Sequence, residues 1–213
     1  MRVELGRRGH PVNEKRVARL MRVMGLQATL PGPHTSKRHP EHEIYPYLLK
    51  GLQIKAPNEV WCADITYVPL AGGYMFLIAI MDWFSRYVLA WELSNTLDSE
   101  FCVVALNRAL AEHGPPGISN TDQGSQFTSG EYIGVLKNAG VRVSMDGRGR
   151  VTDNIFIERL WRSVKYEDIY LRDYADGIAA RGGLERYFRF YNSERPHSAH
   201  AYRTPEEVYS KAA

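Results

Sequence analysis

Thiol chemistry is scarce in this chain of 213 residues: the two cysteines, Cys62 and Cys102, stand far apart and in no metal-ligand spacing. A disulfide-stapled scaffold is excluded, and a reduced, intracellular protein is the expectation. The seven histidines do not combine with the cysteines into a zinc motif. Long apolar runs are absent too. The longest, Met75 to Met81, is far short of the ~20 residues a membrane-spanning helix needs. No charged-then-apolar leader opens the sequence, so neither secretion nor membrane insertion is expected. There is no internal repeat and no low-complexity tract. Net charge is only +3, so overall charge names no partner.

What is present is a globular composition with locally placed charge. Apolar residues make up 44% of the chain, enough for a core and too many for wholesale disorder. Residues 1–27 hold seven Arg or Lys against two Glu, an excess compatible with phosphate contact or with a plain solvated helix face. Within them Asn13 is positioned to cap a helix, and Val17, Leu20, Met21 and Met24 recur at helical spacing before Gly25. Residues 28–58 carry five prolines (31, 33, 40, 46 and 57) and read as an extended linker able to lie along another surface.

From Glu59 onward the pattern is that of an α/β domain. Residues 59–70, 74–83 and 87–93 read as strands, with Gly72-Gly73 and Ser85-Arg86 at the hairpin joints. A helix over 98–112 follows, then a short strand ending at Asp122, a helix near 130–139 and a strand at 141–146. One long amphipathic helix is expected from Asp153 to Tyr170 and another over 176–192. Thr204 and Pro205 then mark a short helix start.

Three carboxylates draw notice by their setting. Asp64 lies mid-strand in Trp61-Cys62-Ala63-Asp64-Ile65-Thr66, where a bare carboxylate is costly unless paired or metal-bound. Asp122 ends a strand in Asn120-Thr121-Asp122-Gln123-Gly124, where ligands of open α/β sheets gather. Glu158 sits in a polar stripe with Asn154, Arg162 and Lys165, beside an apolar stripe of Ile157, Leu160, Trp161 and Val164. Lys165 lies almost two turns, roughly 10 Å, further along the Glu158 face. Each has a plain structural alternative: a solvent-facing edge position, an ordinary turn, and a Glu158–Arg162 surface pair. Taken together they match the needs of phosphoryl transfer, in which hard cations held by a few carboxylates polarise the attacking oxygen and stabilise the leaving one. Asp82 reads better as a turn cap than as a fourth ligand. Asp146, Asp153 and Glu167 read as surface or capping charges, and the four tryptophans as core aromatics.

The interval between Asp122 and Glu158 contains 35 residues, and with Asp64 and Lys165 it resembles the D,D-35-E signature of DDE transposases and retroviral integrases. The stretches Trp61–Val68, Asp82–Arg86, Asp122–Ser129, Asp153-Asn154 with Glu158–Trp161, Tyr191-Asn192 with Arg195-Pro196-His197, and Arg203-Thr204-Pro205 resemble insertion-sequence transposases of the IS-three type, specifically the second-frame product. His200-Ala201 stands where that family has Leu-Gly.

The resemblance implies a ribonuclease-H-like fold, a mixed five-stranded sheet flanked by helices with a small N-terminal helical appendage. It divides the chain into a partial helix-turn-helix-like segment (1–27), a linker (28–58), a catalytic core (59–175) and a C-terminal helical extension (176–213). It implies Asp64, Asp122 and Glu158 as ligands of two Mg²⁺ or Mn²⁺ ions. Lys165, Arg162, Asn154, Gln123 and Ser125 are the DNA-contact candidates. The implied partners are element-end and target DNA, further copies of the chain and an upstream-frame product. The implied location is cytoplasmic, nucleoid-associated when bound. A ribonuclease-H-like nuclease without joining activity, or a DNA-binding remnant, is the alternative.

Overall fold

A computed structural model of the chain describes residues 5, 6, 8–23, 43, 45–146 and 154–210. The chain divides into two units, residues 1–37 and 38–213. In the first, helix α1 spans Glu14–Val23. Asn13 caps it, its Oδ1 accepting the Arg16 N–H at 2.9 Å, and Val17 is its buried side chain. The stop expected at Gly25 and the cap expected from Asp153 lie outside the described residues.

The second unit is built on strands β1 (Val60–Leu70), β2 (Gly73–Asp82), β3 (Val88–Ser94), β4 (Ile118–Thr121) and β5 (Arg142–Met145), with helices α2 (Glu100–His113), α3 (Gly130–Asn138), α4 (Ile155–Val164), α5 (Gly177–Ser193) and α6 (Pro205–Ser210). The strand order is β3-β2-β1-β4-β5. β1–β2 and β2–β3 are antiparallel, while β1–β4 and β4–β5 are parallel. This is the mixed five-stranded sheet the sequence predicts.

Successive side chains of a strand face opposite sides of its sheet, and both sides are covered here. Phe76, Ile78 and Ile80 of β2 pack with Trp61, Ala63 and residues of α2 and α3, including Leu106 and Leu136. Leu77, Ala79 and Met81 face the other way, toward Ile157, Leu160 and Trp161 of α4 and Leu184 and Phe188 of α5. Burial on both faces is why these strands read as continuous apolar runs rather than alternating ones. Helix α5 thus supplies core to the same layer as α4. Residues 45–58 form no regular element but lie on the domain: Leu49 packs with Val60 and Ile118, and the Leu48 N–H donates to Ser144 Oγ at 3.0 Å.

The long helix expected over 153–170 is corrected. Its α-helical part ends at Val164, and Lys165–Ile169 form a π-helical turn before a last α-turn, Tyr170–Arg172. The wider turn lets two successive acids both reach partners. Asp168 is buried, accepting from Arg172 Nε at 2.6 Å and from the Tyr174 hydroxyl. Glu167 is exposed, as expected of a surface charge, and also takes a two-point contact from Arg195 at 2.6 and 2.8 Å and the Tyr187 hydroxyl at 2.9 Å. At the chain's end, Thr204 and Glu207 cap α6 reciprocally. Ala201, where the resemblance leads one to expect glycine, adopts a left-handed φ of 53°.

Tyr174 reaches Asp168 across the surface of α5, and Gly183 makes room for it: a Cβ there would overlap both the Tyr174 hydroxyl and its ring. Gly183→Ala should therefore lower the melting temperature, by about 1–3 kcal/mol of stability. The neighbouring Gly182→Ala, whose Cβ would meet only the Arg186 side chain at 3.7 Å, should raise it by up to ~1 kcal/mol. Thermal unfolding of both variants checks the contrast, and equal shifts would reject the packing account.

Candidate active site

The parallel register of β1 and β4 brings the first two carboxylates together. Cys62 pairs with Asn120, and Asp64 and Asp122 each stand two residues further along the chain, Asp64 within β1 and Asp122 just beyond β4. Asp64 is half-buried. Its Oδ1 accepts the Ile65 N–H at 2.8 Å, and its Oδ2 accepts the Trp161 indole N–H at 2.9 Å. Asp122 lies just past the end of β4, where its Oδ1 accepts the Gly124 N–H at 2.9 Å. A Cβ at position 124 would press on that same oxygen at 2.9 Å, so the tight Asp-Gln-Gly turn has a direct reason for its glycine.

Glu158 is exposed in the first turn of α4. Its helix is fixed to the sheet by the apolar stripe that includes Ile157 and Leu160, both fully buried. Electrostatics ties the three acids into one locality. The Asp64 pKa is pushed up to about 7, first by burial and then by the negative charges of Asp122 and Glu158, against the Trp161 and Ile65 hydrogen bonds. Burial also raises the Asp122 pKa, and the Gly124 N–H opposes it. Among the described residues no three His, Cys, Asp or Glu side chains close into a ligand cage. Asp64, Asp122 and Glu158 offer carboxylate oxygens, the donor class that Mg²⁺ and Mn²⁺ take together with water and substrate ligands.

The other candidates separate. Arg162 is exposed and Lys165 half-buried on the Glu158 side of the helix. Ser125 is exposed, whereas Gln123 commits its amide N–H to the Asp146 carbonyl at 2.8 Å. Asn154 is buried at the start of α4 without capping it, and its Oδ1 has no partner among the described residues. Asp82 is a turn cap, as expected: fully buried, it accepts from the Ser85 N–H and hydroxyl at 2.7 and 2.6 Å and from the Asn58 N–H at 2.8 Å. His197 lies edge-on to Tyr191 with centroids 4.8 Å apart, and its Nε2 is 3.5 Å from Arg195. The residue that sequence reasoning missed is Trp161. Its place in the apolar stripe marks it as core, and the single N–H on that ring was the only signal that it could serve a carboxylate.

Comparison with known proteins places this geometry. An integrase core domain model matches residues 54–150, a second integrase core domain model matches residues 139–205, and an HTH-like domain model matches residues 1–34. The transposase for insertion sequence element IS904 of Lactococcus lactis is 32% identical over 207 residues, covering 93% of this chain and 81% of that protein. The chain belongs to the insertion-sequence transposases. Transposase InsF of IS3A from Escherichia coli is 30% identical over 214 residues, covering 98% of this chain and 74% of that one. This transposase also has the fold of retroviral integrase cores. The HTLV-2 integrase catalytic core domain, solved in complex with magnesium, aligns with a TM-score of 0.59 at 20% identity over 72% of this chain and 97% of that one. A chain of the simian T-cell lymphotropic virus intasome aligns at 0.65 and 21% identity over 81% of this chain, which spans 61% of it. The ribonuclease-H-like fold is therefore correct. Among the described residues no helix is long and apolar enough to cross a membrane.

The Trp161–Asp64 hydrogen bond favours the ionised carboxylate. Trp161→Phe keeps the packing and removes only the N–H, so protons should compete better for Asp64. Divalent-metal titration of DNA cleavage near pH 6.5 should show a requirement for metal raised ~10-fold, the lower end of losses seen when a ligand's supporting partner is removed. An unchanged titration curve would remove Trp161 from the site.

Proposed function

We propose that Asp64, Asp122 and Glu158 hold two Mg²⁺ or Mn²⁺ ions, and that the transposase uses them to cut and join DNA at the ends of its insertion sequence. The observation that carries this reading is the Asp64 carboxyl, held near neutrality by burial and by the charges of both other acids. Such mutual repulsion is relieved by cations. When bound, the ions supply the charge that polarises an attacking water or 3′-hydroxyl and offsets the charge on the leaving 3′-oxygen.

Asp64 would hold one ion together with Asp122 and the other together with Glu158. The Trp161 and Ile65 N–H groups orient its oxygens and favour the ionised form, against the burial that opposes it. No Ser or Tyr nucleophile is required, and one in-line displacement inverts configuration at phosphorus. Lys165 and Arg162 hold the DNA backbone beside Glu158, with salt-sensitive affinity. Ser125 and Asn154 border the same substrate, while Gln123 keeps the Asp122 loop against β5. The basic N-terminal helical segment contributes to DNA binding. Synapsis of two ends calls for several copies of the chain, and an upstream-frame product adds end recognition. Its place of action is the cytoplasm, on nucleoid DNA.

The test uses labelled element-end DNA, a target plasmid and Mg²⁺. Joined products are expected. Cleavage without joining would indicate a nuclease, and binding alone a remnant. Asp64→Asn, Asp122→Asn and Glu158→Gln should each reduce joining by more than ~100-fold, the most that loss of a mere ligand support produces, with circular dichroism unchanged. Full activity in any one variant removes that residue from the site.

A second measurement needs no substrate. Because the folded pKa of Asp64 is raised to about 7 from an ordinary 3.8, the folded state binds the extra proton between those values. The stability this contributes is fully present below pH ~4 and is lost as pH rises through about 7. Relative to Asp64→Asn, the metal-free wild-type protein should therefore lose several degrees of melting temperature between pH 5 and 8, on the scale of ~2–4 °C per kcal/mol. Excess Mg²⁺ should restore the difference. Parallel curves for the two proteins would show that Asp64 ionises normally.

A further inference from the structure

Past Glu158 the outer face of the helix carries unusual surface. Tyr166 is 67% exposed and Tyr170 53%, their rings edge to face with centroids 5.4 Å apart. Neither packs into the core, and neither hydroxyl makes a hydrogen bond among the described residues. The acids nearby are committed, Glu167 to Arg195 and Tyr187, Asp168 to Arg172 and Tyr174. The bases are not: Arg162 and Lys165 form no ion pair among the described residues. The face is thus left with uncompensated positive charge next to open aromatic surface. That pairing suits a nucleic-acid strand with unstacked bases, whose backbone meets the cations while a base lies on the ring. A fully stacked duplex offers no free base face to such a ring.

Tyr166 follows Glu158 by eight residues, about 12 Å along the helix axis, the last two of them in the π turn. That distance corresponds to between three and four nucleotides of stacked strand at ~3.4 Å each. We propose that Tyr166, braced by Tyr170, stacks on an unpaired base within about four nucleotides of the phosphate at Glu158. The site deepens the DNA-processing function above and rests on it. Its ligand class is a locally melted DNA end, and the ring selects for melting rather than for sequence.

Binding measured in Ca²⁺ with the full chain keeps the readout independent of cleavage. The probes are element-end duplexes with the bases near the cleavage point mismatched, and the same duplexes with a single abasic site at each of those positions in turn. Tyr166→Ala should weaken binding of the mismatched end ~5- to 150-fold, the range for one base–aromatic stack, and Tyr166→Phe should retain it. At one position the abasic site should cost the wild-type protein the same factor and cost Tyr166→Ala nothing further. Equal loss in Tyr166→Phe, or abasic penalties unchanged by Tyr166→Ala, would overturn the proposal. So would sedimentation showing that Tyr166→Ala only dissociates copies of the chain, since the patch would then be a protein interface. Failure of Mg²⁺-dependent cleavage by the wild-type protein would count against the catalytic reading, and the Ca²⁺ binding cycle reports on Tyr166 separately from it.

Discussion

A single hydrogen bond, from the Trp161 indole to Asp64 Oδ2, joins the two elements on which the site depends. Asp64 belongs to the central strand β1 and Trp161 to helix α4, and the same helix carries Glu158 less than one turn away. The indole packs with the rest of the α4 stripe against the sheet, so burial of that stripe and orientation of the carboxylate are one event. The cost of placing a carboxylate in a half-buried position is met in part by this donor and by the Ile65 N–H. The remainder is left as the raised proton affinity that makes the site attractive to cations.

The rest of the polar framework keeps α4 where that bond needs it. Beyond α4 the π turn anchors Glu167 on Arg195 and Tyr187, and Asp168 on Tyr174 and Arg172. The end of the chain is thereby tied back to the helix bearing Glu158. Helix α5 completes the same layer, which is why Gly183 is needed so close to Tyr174. At the other end of β2, Asp82 gathers the Ser85 turn and the Asn58 N–H, and Asn58 Oδ1 in turn accepts from Trp61 and from Tyr209 of α6. These acids are spent on structure. Their commitment leaves the acids at the site, and the cations beyond Glu158, as the charges free to act on a substrate.

Much of this was legible in the chain itself. Strand and helix positions followed from apolar runs bounded by glycine and proline. The helix start at Thr204 and Pro205 could be read directly, and the Asp122–Glu158 interval with its flanking motifs marked the family. Three features were not legible. The π turn accompanies contacts of Glu167 with Tyr187 and Arg195, 20 and 28 residues further along the chain, while local periodicity continues an α-helix through it. Trp161 looks apolar until the strand beside it is known. The linker reading of residues 45–58 does not reveal that Leu49 packs with Val60 and Ile118, since that cluster exists only once β1 and β4 are paired.

The sequence by itself determined most of the elements and the family, and it singled out the three carboxylates, because periodicity, turn chemistry and motif spacing are properties of neighbouring residues. Tertiary structure decided that β1 and β4 pair in parallel, bringing Asp64 near the end of β4 where Asp122 follows, and that Trp161 rather than a charged group steadies Asp64. It also decided that Tyr166 and Tyr170 remain outside the core. Those outcomes depend on which side chains meet across the sheet and its covering helices. Pairing at such distances along the chain is fixed by burial and register, not by local pattern.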